Sequence, residues 1–593
     1  MDNIFGFSIT PDGDWAVNLS IFLDEEIQVE VSPGVFIPVL VGTQRNIYYG
    51  DTGAGPMLLL EDDVPLPNAV RASLGTPQLN GLGDLAYTSF NNENPSNIGT
   101  ISDAVLINDT VIASVGEAAP AGVGFATGAT IVSGGASTVE LFEDGDAYFR
   151  LEATGPSGQV VQGIGPNAGE TGVGVDQVIA HYDADTGTFS RVFGTGDVVT
   201  NPNGPDFTIG FSEIELTGTD ADIAPIGQVR VNESRTVAVY KFDTNNNENT
   251  ASEAGSSSEA LVYNNTIATF VDGTNVQEDV VAPTRVGGDG VSTIGSLGNL
   301  GVSEGGFWAA NADLGDVPID DVILVNGGLS VSQGDTVSVS SALGGGGFVL
   351  GGIFNGLKMN GDGDLAYVNN NAIVLNGEVV VLEGVTALTG GGTLLDLFQS
   401  VEISDRDING DVTIIFNGEE VNGVEVLYEI TVTPQALIAG DFDYDRDQSN
   451  SFGDVDDIDI LANFFDMNGF DADGFDLTDD GLVDFGDTTF LVETIFGTLL
   501  GDANLDGVVD ELDLILLEDN FESDVTSWAL ADFTGDDFVD IDDVNLFVPN
   551  YTGDQQALDD FLAIVPEPGV ATLIGVVLGL ATIRRSRAWG IRD

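Results

Sequence analysis

A short unit of four predicted β-strands recurs along residues 1–435. The clearest copy, Leu357–Gly384, reads LKMNGDGDLAYVNNNAIVLNGEVVVLEG, in which short apolar runs alternate with GDGD and NG turns. Asp, Asn and Gly tolerate the left-handed backbone that tight hairpin turns require. Short apolar runs between such turns are typical of strands, and no helical period of any length is present. The unit therefore predicts a small four-stranded antiparallel sheet.

Seven copies of this unit occur in residues 1–435. Besides the clearest copy they start at Phe7 and recur at Leu79–Phe90, Val139–Ala153, Val229–Asp243, Glu304–Asp313 and Asp405–Gly418. One four-stranded unit cannot bury both of its faces, whereas a ring of such units can. We therefore predict a mainly β fold whose body is a seven-bladed β-propeller. The alternative built from the same hairpins is a β-sandwich array or a β-solenoid.

The charge balance excludes several classes of function. The chain has 96 Asp and Glu against 15 Lys and Arg, a formal net charge of -81, so it has no basic surface for a nucleic acid. It has no cysteine and one histidine, His181, which excludes cysteine catalysis and a His-rich metal site and disfavours a Ser-His-Asp triad. An excess of carboxylates suits hard cations such as calcium.

An enzyme built on the propeller would bring polar side chains together in its central channel. The candidates are His181, Tyr182, Arg191, Arg230, Arg235, Tyr240 and Lys241. Each has a structural role open to it, since aromatic residues in strands pack and basic residues in an acidic chain pair with carboxylates. The repeat resembles the propeller-like repeats of secreted bacterial surface proteins, and this resemblance implies no activity. We therefore assign no catalytic residue and expect a non-catalytic protein.

Residues 441–560 contain 35 Asp or Glu and a single basic residue, Arg446. A calcium loop takes oxygen ligands from positions 1, 3, 5, 9 and 12 and a backbone carbonyl from position 7. Three segments, which we number loops 2, 3 and 4, have this spacing. Their predicted ligands are Asp476, Thr478, Asp480, Leu482, Asp484 and Asp487 in loop 2; Asp502, Asn504, Asp506, Val508, Asp510 and Asp513 in loop 3; and Asp532, Thr534, Asp536, Phe538, Asp540 and Asp543 in loop 4. Position 6, where the chain turns sharply, is Gly in loops 2 and 3 and Asp537 in loop 4, and an apolar helix is predicted after each loop.

A looser match, loop 1, lies upstream of these three. In one register Asp445, Asp447 and Ser449 take positions 1, 3 and 5, and the closing carboxylate is Asp456, or Asp457 if the loop has one extra residue. In the other register Asp441, Asp443 and Asp445 open the loop and an insertion follows. The sequence leaves both registers open.

The loop-then-helix pattern, with Asp and not Glu at position 12, resembles the dockerin type I repeat. The resemblance covers about residues 440–552 as two consecutive pairs of loops. It implies calcium as the cofactor, small helical modules at 436–499 and 500–560, and a cohesin as partner. Thr at position 3 in two loops and the irregular loop 1 depart from the family pattern, and we find no clear cohesin-recognition pair repeated in both helices. Calcium binding therefore carries over more directly than cohesin docking.

Residues 565–593 have three parts in order. Val565, Pro566, Glu567 and Pro568 are followed by the uncharged run Gly569–Ile583 and then by Arg584, Arg585 and Arg587. The run is shorter than the roughly 20 apolar residues of a full membrane span, and the arginines fit the positive-inside tendency. This layout closely resembles the PEP-CTERM sorting signal. The resemblance implies a transmembrane helix that anchors the chain transiently in the inner membrane until an exosortase-type peptidase cleaves near Pro566–Pro568.

These features together predict an exported bacterial protein of the cell surface or extracellular matrix. The propeller spans 1–435, the two calcium modules follow, and the sorting signal ends the chain. A sorting signal of this kind demands export, and MDNIFGFSIT lacks the features of a signal peptide, so we expect a leader upstream. The predicted role is binding or structural, with a cohesin or an extracellular polysaccharide as partner. The alternative is a secreted polysaccharide-active enzyme, a glycoside hydrolase or lyase, with the propeller as catalytic domain.

Overall fold

The structure is a computed structural model with two compact units, Met1–Asp487 and Thr488–Asp593. It describes residues 3–32, 35–51, 54–61, 74–91, 102–125, 127–154, 159–162, 171–194, 196–209, 212–214, 226–243, 259–283, 293–314, 321–352, 354–387, 393–394, 396–419, 425–446, 455–465 and 474–565.

Antiparallel strands build the first unit. Blade 1 contains β1 (Asn3–Ile9), β2 (Trp15–Ser32), β3 (Val35–Asp51) and β4 (Ala54–Glu61), and blade 2 contains β5 (Gln78–Leu79), β6 (Leu85–Asn91), β7 (Ser102–Ile107) and β8 (Thr110–Ser114). Blade 3 and the short sheet beside it contain β9 (Thr130–Leu141), β10 (Ala147–Thr154), β11 (Gln159–Gln162), β12 (Thr171–Asp183), β13 (Thr188–Gly194), β14 (Val198–Val199), β15 (Phe207–Thr208) and β16 (Ser212–Ile214). The short sheet is the pair β14–β15, while β11 and β16 extend blade 3 by pairing with β12.

Four further blades follow in chain order. Blade 4 contains β17 (Ile226–Val231), β18 (Ala238–Asp243), β19 (Glu259–Tyr263) and β20 (Thr266–Ile267), and blade 5 contains β21 (Ser296–Val302), β22 (Trp308–Asp313), β23 (Asp321–Val325) and β24 (Gly328–Ser332). Blade 6 contains β25 (Thr336–Val339), β26 (Gly347–Val349), β27 (Phe354–Met359), β28 (Leu365–Asn369), β29 (Ala372–Leu375) and β30 (Glu378–Leu382), and blade 7 contains β31 (Asp396–Ile403), β32 (Val412–Glu419) and β33 (Glu425–Val432). In blade 6 the hairpin β25–β26 extends the sheet, since β25 pairs in parallel with the outer strand β30.

The seven blades close into a ring. The first strand of each blade contacts the first strand of the next, in the series β1, β5, β9, β17, β21, β27 and β31, and β31 contacts β1 again. Side-chain hydrogen bonds from blade 1 reach blade 7, where Trp15 Nε1 donates to Glu429 at 3.0 Å. A closed series of this kind is a propeller and not an open array. The predicted seven-bladed β-propeller is confirmed.

The apolar core lies between neighbouring blades. One cluster joins Phe142, Tyr148 and Phe193 of blade 3 to side chains of blade 4. Within it the rings of Phe193 and Tyr240 stack with centroids 4.3 Å apart. A blade therefore buries its second face only when the next blade is present, which is why one unit could not fold alone.

Carboxylates in the turns between first and second strands also join the blades. These turn carboxylates are Glu143, Glu233, Glu304 and Asp405. Each accepts a backbone N–H from the matching turn of the preceding blade, such as Gly81 to Glu143 at 2.8 Å and Gly361 to Asp405 at 2.7 Å. Partial burial and the nearby Glu143 and Glu304 raise the pKa of Glu233 to about 7, and burial raises the pKa of Asp405 to about 6. No local sequence pattern indicates this series of bonds, because the partners are far apart in the chain.

A helix follows each of loops 1 to 4, as the sequence predicts. The helices are α1 (Val455–Asn463), α2 (Phe485–Phe490), which continues as the π-helical turn Leu491–Ile495, α3 (Glu511–Asn520), α4 (Ile541–Phe547) and α5 (Gln555–Leu562). Short 3-10 turns lie at Ser341–Leu343, Trp528–Leu530 and Val548–Asn550, and the last sheet pairs β34 (Ser523–Asp524) with β35 (Phe538–Val539).

The second unit contains loops 3 and 4 as a reciprocal pair. The Glu522 N–H, after α3, donates to the carbonyl of Val539 in loop 4 at 2.8 Å. The Thr552 N–H, at the matching place after α4, donates to the carbonyl of Val509 in loop 3 at 2.9 Å. Trp528 is 1% exposed and supports this pair, since its Nε1 donates to the carbonyl of Asp502 at 2.7 Å.

The boundary between the two compact units lies at residues 487–488, whereas the composition predicts a first boundary near residue 435. Loops 1 and 2 thus belong to the same compact unit as the propeller. Among the described residues no helix is both long and apolar enough to cross a membrane. The predicted sorting helix after Val565 lies outside the described residues.

Candidate calcium-binding loops

In loops 2, 3 and 4 the carboxylate at position 1 organises the backbone of its own loop. In loop 3, Asp502 accepts the N–H of Asp506 at 3.1 Å and the N–H of Gly507 at 2.8 Å. The N–H groups of positions 5 and 6 bond the first carboxylate, Asp476 or Asp532, in the other two loops as well. These bonds fix the first carboxylate at the centre of the turn.

The carboxylate at position 12 connects the loop to the helix. Asp513 accepts the N–H of Ala503 at 2.9 Å and the N–H of Asp510 at 2.9 Å. Asp510 in turn caps α3 by accepting the N–H of Leu512 at 2.8 Å, and together Asp510 and Asp513 form a capping box. Asp540 and Asp543 form the same box at the start of α4. Positions 9 and 12 therefore begin the helix and also provide carboxylates to the loop.

Two positions in each loop have left-handed backbone. They are positions 4 and 6, with φ of 57° at Asp479 and 85° at Gly481 in loop 2, 51° at Leu505 and 91° at Gly507 in loop 3, and 67° at Gly535 and 68° at Asp537 in loop 4. Asp537 thus makes the turn that Gly makes in the other two loops, as the sequence predicts.

The same backbone pattern decides the register of loop 1. Tyr444 has a φ of 62° and Arg446 a φ of 51°, which are positions 4 and 6 if Asp441 is position 1. The Phe442 N–H donates to Asp457 at 2.5 Å, matching the bond from Ala503 to the closing carboxylate of loop 3. The structure therefore supports the register that begins at Asp441 and closes at Asp457.

This register assigns the other predicted loop 1 residues differently. Asp445 takes position 5, and Asp456 precedes the closing carboxylate. Asp441 and Asp457 are 16 positions apart, against 11 between Asp502 and Asp513, so loop 1 has five extra residues. Asp447 and Ser449 lie outside the described residues.

Three carboxylates of loop 1 converge. Asp441, Asp443 and Asp457 are 6%, 2% and 2% exposed, and one oxygen from each lies within 4.8 Å of the others. Oxygen atoms are the ligands that calcium prefers, and buried charges are costly unless they are paired or bind a metal. The donor set of loop 1 therefore fits a hard cation.

The propeller holds loop 1 in place. Asn326, in the turn between β23 and β24, donates its Nδ2 to the carbonyl of Phe442 at 2.8 Å, and Ser330 Oγ donates to the carbonyl of Tyr444 at 3.2 Å. At Gly328 an added Cβ would lie 2.4 Å from the Cβ of Asp443, so only glycine admits the loop this close to β24. Loop 1 thus depends on blade 5 for its position.

Burial places like charges close together in loops 3 and 4. Asp502, Asp513 and Asp543 are 0% exposed and Asp532 is 3% exposed. Burial raises the pKa of Asp502, Asp513 and Asp543, and burial together with the Asp543 carboxylate raises the pKa of Asp532 to about 7. No lysine or arginine occurs between Arg446 and residue 560 to offset these charges. A bound calcium ion would provide the missing positive charge.

The candidate catalytic side chains lie in ordinary structural contacts on blades 3 and 4. His181 Nε2 lies 2.7 Å from Asp146, and Arg235 forms ion pairs with Asp144 and Asp146. The remaining contacts are Arg191 with Asp197, Arg230 with Glu140, Lys241 with Glu259, Tyr182 with Phe189 and Tyr240 with Asn265. The structure thus places the basic residues beside carboxylates, as their structural interpretation predicts.

No known family and no curated protein matches the chain. Similar solved structures include the β-propeller domain of the Trilobed protease from Pyrococcus furiosus, with 9% identity and a TM-score of 0.31 over 74% of this chain and 99% of that one. Kuenenia stuttgartiensis hydrazine synthase has 12% identity and a TM-score of 0.30 over 72% of this chain and 95% of that one. A mutant of an α-L-arabinofuranosidase from Fusarium graminearum, in complex with an iminosugar inhibitor, has 8% identity and a TM-score of 0.28 over 60% of this chain and 91% of that one. At these similarities no function follows from the comparison.

Proposed function

We propose that this protein binds calcium through loops 1 to 4 and serves a binding or structural role outside the cell. The observation that carries the proposal is the set of buried carboxylates in loops 1, 3 and 4, in a region with one basic residue. Three separately described loops repeat the same bonds from positions 5 and 6 to the first carboxylate. In each loop the calcium ion would compensate charges that folding brings together.

The proposal extends to the location of the protein. The tail from Val565 to Arg587 acts as a PEP-CTERM signal, which an exosortase-type peptidase removes after the chain has crossed the inner membrane. The body is then released to the cell surface or matrix, where calcium is abundant and a cohesin or a polysaccharide is the partner. Support for this part comes from the order of the PEP motif, the apolar run and the arginines in the sequence.

A calcium titration of the full chain tests the first part. Because binding and folding share one free energy, calcium should raise the melting temperature of the helical region and increase its circular dichroism. Asp502→Ala should reduce this gain, whereas Asp519→Ala, which removes an exposed carboxylate of α3 outside the loop, should leave it unchanged. A melting temperature and a circular dichroism spectrum that do not change with calcium would contradict the proposal.

Mass spectrometry tests the second part. The chain is expressed behind a leader in a host that has an exosortase, and the mature protein should end near Pro568. A surface protein that keeps the arginines Arg584 and Arg585 would show that the tail is not processed.

A further inference from the structure

A cavity of about 680 Å³ lies beside loop 1 in the first unit. Its walls are strand β25 with the turn that follows it and the segment that leads from β33 into loop 1, with Thr336, Ser338, Gln435, Asp441 and Arg446 among its lining residues. We call it the loop 1 pocket. Its volume is within the range of small-molecule sites in proteins, which is roughly 300–1,000 Å³.

The charge of Arg446 distinguishes this pocket. Seven other basic residues whose side chains the structure describes have a carboxylate oxygen within 4.0 Å, namely Arg150, Arg191, Arg230, Arg235, Lys241, Lys358 and Arg406. Arg446 instead donates to the side-chain oxygen of Gln435 at 2.8 Å and to the carbonyl of Ala436 at 2.9 Å. Asp441 and Asp445 also line the pocket, and the charges of Asp441 and Glu378 act on Arg446. Because its direct hydrogen bonds to described residues go to neutral groups, the guanidinium keeps further N–H groups for an external anion.

Two tyrosines that line this pocket or the cavity next to it have buried hydroxyls without a hydrogen-bond partner among the described residues. A smaller cavity of about 20 Å³ shares Asp441, Tyr444 and Arg446 with the pocket and is lined in addition by Tyr367 and Asn376. The hydroxyls of Tyr367 and Tyr444 are buried and have no hydrogen-bond partner among the described residues. Buried hydroxyls are normally hydrogen-bonded, so a water or a ligand hydroxyl is expected there.

We propose that the loop 1 pocket binds a carboxylate-bearing sugar, a uronate unit of an acidic polysaccharide. Arg446 pairs with the sugar carboxylate, and the hydroxyl and amide groups of the walls bond its hydroxyls. This inference rests on the proposed function for its calcium dependence, since Asp441 belongs both to the pocket wall and to the acidic trio of Asp441, Asp443 and Asp457. Calcium at the trio removes negative charge from the wall and so strengthens uronate binding.

Calorimetric titration of the full chain with digalacturonate tests the proposal, with the dimethyl ester of digalacturonate as a neutral probe of the same shape. The wild type should bind the acid in calcium and not the ester. Arg446→Met, which keeps the aliphatic stem and removes the charge, should weaken binding at least about tenfold, the effect of losing one charge-assisted bond. Thr336→Trp, at an exposed position of β25, should fill the pocket and abolish binding even if the first variant folds poorly.

The outcomes separate this inference from the calcium proposal. Equal binding of acid and ester, wild-type affinity in Thr336→Trp, or no binding of digalacturonate by a chain that takes up calcium would overturn the pocket assignment alone. Binding of digalacturonate by a chain that takes up no calcium would support the pocket and contradict the calcium proposal.

Discussion

Loops 1 and 3 place carboxylates at corresponding positions but are supported in different ways. Loop 3 is paired with loop 4, and a backbone carbonyl of each loop accepts an N–H from the segment that follows the other's helix. Loop 1 is five residues longer than loop 3 and rests on blade 5 through Asn326 and Ser330. The difference teaches that this arrangement of carboxylates can be held by a second copy of the loop or by an unrelated scaffold.

The largest effect is expected in the reciprocal pair. Trp528→Ala removes a buried indole and its bond to the Asp502 carbonyl, which should destabilise the second unit by about 3–5 kcal/mol. Denaturant unfolding followed by helical circular dichroism measures this. Because loop 1 belongs to the first unit, its proposed calcium site should survive. Loss of all calcium binding would contradict the claim that loops 1 and 3 are supported separately.

The next effect is on the loop that the propeller supports. Gly328→Val puts side-chain atoms where Asp443 lies, and overpacking of this kind costs about 1–3 kcal/mol. We expect the loop 1 calcium site to be lost while the sites of loops 3 and 4 persist. Gly328→Ala should show a smaller form of the same defect, and a Val variant with unchanged calcium uptake would contradict the dependence on blade 5.

A matched pair of variants tests whether loop 1 closes at Asp457 or at Asp456. Asp457→Asn removes the closing charge and should weaken one calcium site at least about tenfold, equivalent to roughly 1.4 kcal/mol. Asp456→Asn removes a neighbouring charge that lies outside the acidic trio and should have a much smaller effect. Calorimetric calcium titrations compare them, and the reverse order would favour the register that closes at Asp456.

The smallest predicted effect concerns the protonation of Glu233, which should change stability with pH and not with calcium. The pKa of Glu233 is raised to about 7, so its folded form retains a proton that the unfolded chain releases near pH 4. Its contribution is therefore full at low pH and is lost as pH rises towards 8. Glu233→Gln keeps an oxygen for the Glu143 N–H, and it should raise the melting temperature of the propeller slightly at pH 8. The gain in the free energy of unfolding should be less than about 1 kcal/mol, because the side chain remains partly hydrated. The gain should shrink as the pH falls and vanish below about pH 4, where the unfolded chain is protonated as well. It should not depend on calcium, and a gain of equal size at pH 8 and below about pH 4 would exclude titration of Glu233 as its cause.

Local signals account for the part of the fold and site that sequence could predict. Turn residues such as Asn376 and Gly377 mark the hairpins of the blades, and the spacing from Asp502 to Asp513 marks a loop that begins its own helix. Contacts between distant residues were beyond such signals. The Gly81 N–H meets Glu143 from 62 residues away, and the hairpin β25–β26 joins β30 in parallel. The register of loop 1 needed the backbone of Tyr444, because five extra residues disrupt its spacing.

Counting the calcium bound to the full chain by equilibrium dialysis tests the central claim most directly. The account predicts one ion for each of the four loops in the wild type and in the control Asp519→Asn. The double variant Asp502→Asn with Asp532→Asn removes the first carboxylate of loops 3 and 4, and it should bind two ions fewer. A double variant that binds as much calcium as the wild type, or a wild type that binds none, would contradict the claim that these carboxylates hold calcium.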